Sequence, residues 1–304
     1  MPDASVRPSF STAQFRNFIW AAVVLTIVFA VPLWRLFTNA IHDDLFSYIP
    51  LMPFVALYLA STLKPELPSH SSPARGLAIF FFVISVAAMA GYFALVRAAT
   101  PETVWNSLAL STLAWVLCIA GAGCWFLGAA TMRSLVYPFC LLLFMIPFPV
   151  FVRDYLEMAL QNGSAVVADW MFALVGTPVF RAGTLFRLPD MSFHVAPECS
   201  GIHSTWILFI TSLVAGRIIL SRPWKRAVLC LVIIPLALLR NAFRICVIGE
   251  LCVHIGPQMI DSPIHHRGGP IFFILSLVPF FLLLYFLRKT ERTGVVEKSS
   301  ESEK

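Results

Sequence analysis

Cys199 stands at the mouth of a long apolar run. The polar residues gathered about it, Glu198, Ser200, Gly201 and His203, are more than membrane packing requires. A cysteine in the first turn of a helix lies near unpaired backbone N–H groups and the positive end of the helix dipole, both of which favour thiolate over thiol. Farther along, the stretch LLRNAFRICVIGEL carries Arg240 and Arg244 one helical turn apart, with Asn241 between them. The segment from Leu251 to Gly269 then adds His254, Asp261, His265, His266 and Arg267. A thiolate, a guanidinium and an imidazole suffice for acyl transfer: the cysteine attacks a carbonyl, the arginine binds the oxyanion that develops, and the histidine protonates the departing amine. Blander readings compete with this one. A lone free cysteine is most often a small buried hydrophobe, and an arginine near a helix end snorkels to the interface. Cys199, His203, His254, His265 and His266 are also metal-ligand types, but their spacing matches no short ligand motif and two arginines nearby would repel a cation, so neither a metal nor a cofactor is expected.

The elements that must position these groups are membrane spans. The chain has 304 residues, of which 59% are hydrophobic and only 12% charged, and its mean hydropathy is +0.81. That is far too apolar for a soluble monomer and defines a polytopic membrane protein. The net charge of +6 would suggest nucleic acid in a soluble chain, but here Lys and Arg sit at the ends of apolar runs and act as topology signals, so no nucleic-acid partner is expected. The seven cysteines form no CxxC pair, and Cys118, Cys124, Cys140 and Cys230 read as packing.

Eight apolar runs are long enough to approach a hydrocarbon core about 30 Å thick: Phe18 to Phe37, Tyr48 to Leu63, Gly76 to Val96, Val104 to Gly128, Leu135 to Val152, Gly201 to Leu220, Ala227 to Ile248 and Pro270 to Leu287. The first lacks a small-residue cleavage site and reads as an uncleaved span. The expected class is all-α, one integral-membrane domain over residues 1–290 followed by a charged, disordered tail over 291–304. Lys and Arg concentrate at the N-terminus, in alternate loops (Lys64 and Arg75; Arg133; Arg217, Arg222, Lys225 and Arg226) and in the tail. Both termini are therefore expected in the cytoplasm, with Cys199, Arg244 and His265 meeting on the outer face although they come from three different spans. Asp154 to Thr177 is too polar to span and suggests a helix along the outer interface. Pro178 to Ala196 alternates and carries Gly and Pro, suggesting an extended, hairpin-like lid that delivers Cys199 to its helix.

At these residues the sequence resembles the exosortase/archaeosortase family of membrane-embedded cysteine transpeptidases. LPDMSFHVAPECSGI is similar to the family's nucleophile segment with Cys199 in the active position, NAFRI to its NxxR segment with Arg244 as the arginine, and HHRGGPIFF to its HxxxGxxxF segment. Weaker likenesses lie in DDLFSYIPLMP, FMIPFP and LQNGSAVVADW. The chain departs from the pattern at Ser47-Tyr48, where the family often has Ser-His. The resemblance implies an inner-membrane enzyme whose site faces the periplasm. It would cleave exported proteins beside a C-terminal sorting signal made of a short motif, a transmembrane helix and a basic tail, as in PEP-CTERM proteins, and would pass the acyl group to an amine. Cys199 would be the nucleophile, Arg244 the oxyanion donor and His265 the general acid/base, supported by Glu198, Ser200, Gly201, Asn241, Arg240 and His266. If the last helix begins near His265, then His265, Gly269 and Phe273 share one face and His266 is turned about 100° away. Gly269 would then let a neighbouring helix approach closely. A start at Pro270 would leave the loop to aim both rings. The reading from another class is a polysaccharide transporter or export component in which the same polar cluster binds without covalent chemistry.

Overall fold

The computed structural model describes residues 12–62, 72–98, 103–188, 191–195, 200–256, 258–259 and 269–301. Its contacts divide the chain after Arg153 into two compact units. The first unit holds α1 (Thr12–Val28), α2 (Ala30–His42), α3 (Met52–Thr62), α4 (Arg75–Ala98), α5 (Thr103–Phe126), α6 (Gly128–Ser134) and α7 (Val136–Leu142). Its centre is the antiparallel pair α4 and α5, joined inside the apolar contact by Ser85, whose hydroxyl donates to Ala114 O at 2.8 Å. The outer face of α4 presents Ile79, Phe80, Val83 and Val86, as a lipid-facing helix does.

Helices occupy the apolar runs, five to seven of them as candidate spans, and three are interrupted by breaks. Helices α1 and α2 part at Phe29 and bend by 71°, and α6 and α7 part at Leu135 and bend by 70°. A third, milder break at Val232 divides α10 (Pro223–Leu231) from α11 (Ile233–His254). Each break falls three residues before a proline: Pro32, Pro138 and Pro235. A proline cannot donate to the carbonyl four residues back, and its ring crowds that carbonyl; here those residues are Val28, Ser134 and Leu231, the last of each preceding helix. Of the eight runs, five are single helices or near-straight pairs long and apolar enough to cross, two are bent pairs, and one is the shorter apolar helix Ile49–Thr62.

The second unit is built on α8 (Val150–Val175, which begins just before the boundary), α9 (Ile202–Ile219), α10, α11 and α12 (Gly269–Glu301). Three short strands, β1 (Phe180–Ala182), β2 (Leu185–Arg187) and β3 (Ser192–His194), pair antiparallel in that order. The extended lid is therefore present, and it adds a small sheet to a mainly helical chain. It is more than a cover, because Phe186 is fully buried, lies 5.8 Å from Phe172 of α8 and stacks on Phe193 at 5.4 Å. Together with Ala165, Ala168, Ala242, Ile245 and Cys246 these rings form one core. A second core, of Leu208, Leu229, Ile233, Phe280 and Leu284, holds α9 to α12 together.

Helix α8 covers the segment expected to form an interfacial, partly re-entrant helix. A side chain at Gly163 would meet Leu238, and one at Gly249 would meet Phe172, so α8 stands beside α11 and runs in the same direction. Small residues at Gly163, Ser164, Ala165 and Ala168 permit that approach. Helix α12 runs from Gly269 to Glu301, past the end of the apolar run at Leu287. No described atom lies within 4 Å of a Cβ placed on Gly269, so among the described residues the close approach expected there is not found.

Candidate functional site

The polar site forms where α9 begins. Gly201 adopts φ +67°, a left-handed conformation that turns the incoming chain into α9. Its carbonyl then accepts from Thr205 N–H at 3.0 Å, from the Thr205 hydroxyl at 2.8 Å and from the Ser204 hydroxyl at 3.1 Å. From α11, Arg240 Nη2 reaches the same carbonyl at 3.1 Å and Thr205 Oγ1 at 3.2 Å. Beside it, Asn241 donates its side-chain amide to the carbonyl of Ser200. All three groups are withdrawn from solvent: Ser200 is 1% exposed, Asn241 4% and Arg240 7%. In such surroundings a hydrogen bond is hard to replace, because losing it leaves a buried polar group bare.

The geometry of the helices explains why these groups meet. Helices α9 and α10–α11 run antiparallel, side by side, from the turn at Leu220 to Arg222, and Gly201 and Arg240 lie almost equally far from it along the chain. The remaining 14 residues of α11 run on past the start of α9 for about 21 Å. Against this overhang pack the sheet and α8, and from α8 Gln161 donates its amide to the carbonyl of Val195, just past β3. The chain approaching α9 is thus tied at Val195 by α8 and at Ser200 and Gly201 by α11.

Of the residues singled out from the sequence, the structure brings together Ser200, Gly201, Arg240 and Asn241. Arg244 lies one turn further along α11 and is half-buried. Cys199 and Glu198, within the tied segment, and His265 and His266, ahead of α12, lie outside the described residues. Because α12 is described only from Gly269, its helical period does not reach the two histidines. Arg240 Nη1 is buried and has no hydrogen-bond partner among the described residues.

Three groups had no place in the sequence-based site. Gln161 read as one polar residue of an interfacial helix, and its signal was its position at the head of the small-residue face of α8. Glu250 accepts from the Thr177 hydroxyl at 2.5 Å and faces His254 Nε2 at 3.2 Å, fastening the end of α11 to the loop after α8. Arg181 of β1 pairs with Asp169 of α8 at 3.4 Å. Among the described residues no three His, Cys, Asp or Glu side chains converge as a metal-binding set.

Fold and site together define a polytopic helical membrane protein with a buried polar cluster at the N-terminal turn of one of its spans. The model of the transmembrane exosortases matches residues 37–282, and the chain belongs to that family. No curated protein matches the chain, and no solved structure does.

Proposed function

We propose that this exosortase is a cysteine protease and transpeptidase that processes exported proteins at a C-terminal sorting signal. The Cys199 thiolate attacks the carbonyl next to the recognition motif, and Arg244 holds the oxyanion. Collapse of the tetrahedral intermediate breaks the C–N bond, leaves a thioester on Sγ and releases an amine that takes its proton from His265. An acceptor amine, or water, then attacks the thioester and gives its proton back to His265, regenerating the thiolate. The scheme needs no cofactor. Its substrates are proteins carrying a short motif, a transmembrane helix and a basic tail of the PEP-CTERM kind, and the enzyme sits in the inner membrane with its site on the periplasmic side.

One observation carries this reading. The residues that follow Cys199 are hydrogen-bonded to Arg240 and to Asn241, the first residue of the NxxR segment, so stretches 39 to 41 residues apart in sequence share one buried cluster. A non-catalytic binding site would tolerate loss of one sulfur atom with graded effect. The test is co-expression with a reporter ending in such a signal from the same genome. Cys199→Ala abolishes processing while the protein remains inserted and abundant, and Cys199→Ser is nearly as inactive. Processing by the alanine variant would overturn the proposal. For the side of the membrane, reporter fusions after Arg222 and after His254 must give opposite answers, inside and outside.

A further inference from the structure

We propose that Gln161 is a positioning residue for the nucleophile, tying the upstream end of the Cys199 segment as Asn241 ties the downstream end. The inference rests on reading Cys199 as the nucleophile. It starts from the carbonyl of Val195. Strand β3 ends at His194, and the last ladder contact of this chain is the Val195 N–H donating to Thr184 O at 3.0 Å. The carbonyl therefore points beyond the sheet, in a residue only 3% exposed, and the Gln161 amide meets it. Four residues later comes Cys199, and the next carbonyl, that of Ser200, takes the Asn241 amide.

The two amides come from different helices, and those helices are held in fixed relation by the contacts of Gly163 with Leu238 and of Phe172 with Gly249. The separation of the two ties is thus set by helix packing and not by the segment itself. Removing the Gln161 amide takes away the partner of the Val195 carbonyl, and removing the Asn241 amide takes away that of the Ser200 carbonyl. A reactive atom displaced by about 1 Å loses on the order of 10²-fold in rate, and side chains that hold such geometry do so through hydrogen bonds of this kind. Gln161 touches no reacting atom in this account; it acts through the backbone that carries Cys199. The choice of residue fits the task, since glutamine offers a neutral N–H donor long enough to cross from a helix to a strand end, and its neighbours on the buried face, Ser164, Ala165 and Ala168, are too short to do so.

The test measures thiol reactivity in the purified full-length chain, with iodoacetamide as the probe and the Cys199 peptide read by mass spectrometry. Cys140, exposed in the other unit, is the internal reference. Gln161→Met, which keeps length and removes the donor, slows alkylation at Cys199 by about tenfold relative to Cys140 and leaves the melting temperature within a few degrees. Asn241→Leu slows it as well, and the double variant is no slower than the slower single, because both ties serve one segment. If Asn241→Leu fails to fold, Asn241→Ser, a smaller residue that no longer reaches the Ser200 carbonyl, takes its place in the cycle. A Cys199 rate unchanged or raised in Gln161→Met, or losses that multiply in the double variant, overturn the proposal. The two readings fail separately. If Cys199→Ala still processes the reporter, the nucleophile assignment fails; if it does not and Gln161→Met reacts like wild type, only the positioning role fails.

Discussion

Asn241 of α11 donates its side-chain amide to the backbone carbonyl of Ser200, the residue that follows the candidate nucleophile. The first residue of the NxxR pattern therefore serves the cysteine segment, and Arg244, at its end, lies one turn further along α11. Arg240, immediately before the pattern, holds the next carbonyl, that of Gly201. A helix that presents three polar residues within five positions in an apolar span bears a cost of insertion that each of these contacts helps to explain.

Gly201 is the most sensitive backbone position in this arrangement. A Cβ there would stand 2.6 Å from Arg240 Nη2 and equally press on Asn241, in addition to the strain of a left-handed L-residue, about 1–2 kcal/mol. Gly183, in the β1–β2 turn, has nearly the same φ, +65°, but nothing within 4 Å of its Cβ. Gly183→Ala carries the strain alone and retains processing, whereas Gly201→Ala lowers the melting temperature further and loses processing by about 10²-fold or more. Equal effects of the two substitutions on processing would show that the close packing at Gly201 is unimportant.

How far the site could be read from sequence depended on the kind of interaction. The cluster of Ser200, Gly201, Arg240 and Asn241 was legible because polar groups in or beside an apolar span require partners. Phe186 and Phe193 were visible as an alternating pattern, which gave the extended lid but not its place in the core. The breaks at Phe29, Leu135 and Val232 were written in Pro32, Pro138 and Pro235, but apolar run length alone passes over them. Gln161 could not be assigned, since its bond to Val195 exists only once α8 packs beside α11. That packing follows from small residues on one face, which the charges Asp154, Glu157 and Asp169 elsewhere on the helix obscured. Gly269 misled because it opens α12 and no described residue approaches its Cβ within 4 Å.

The two arginines divide between structure and chemistry. Arg240 is committed through Nη2 to Gly201 and Thr205, so Arg240→Gln lowers stability by about 1–3 kcal/mol in thermal unfolding. In the proposed scheme Arg244→Gln reduces turnover by about 10² to 10³, the usual cost of an oxyanion donor. Lysine rescues Arg244 poorly because it lacks the planar fork. Arg240 Nη1 remains buried without a partner among the described residues. If Arg240→Gln loses turnover at unchanged stability while Arg244→Gln retains it, the oxyanion role belongs to Arg240.

His265 and His266 are separated by a pair of glutamine substitutions at matched expression. His265→Gln loses about 10² to 10⁴ in reporter cleavage, the contribution of a general acid/base group, and His266→Gln stays within a few-fold of wild type. The opposite ranking assigns the proton transfers to His266.

Direct observation of the acyl-enzyme addresses the central claim, covalent catalysis by Cys199. Reporter and purified enzyme are mixed and quenched in acid, and the Cys199 peptide is examined by mass spectrometry before and after hydroxylamine. The account predicts an adduct on Cys199 with the mass of the reporter's acyl portion, removed by hydroxylamine and absent in Cys199→Ala. Reporter cleavage that proceeds in Cys199→Ala, or an adduct carried by any other residue, would contradict it.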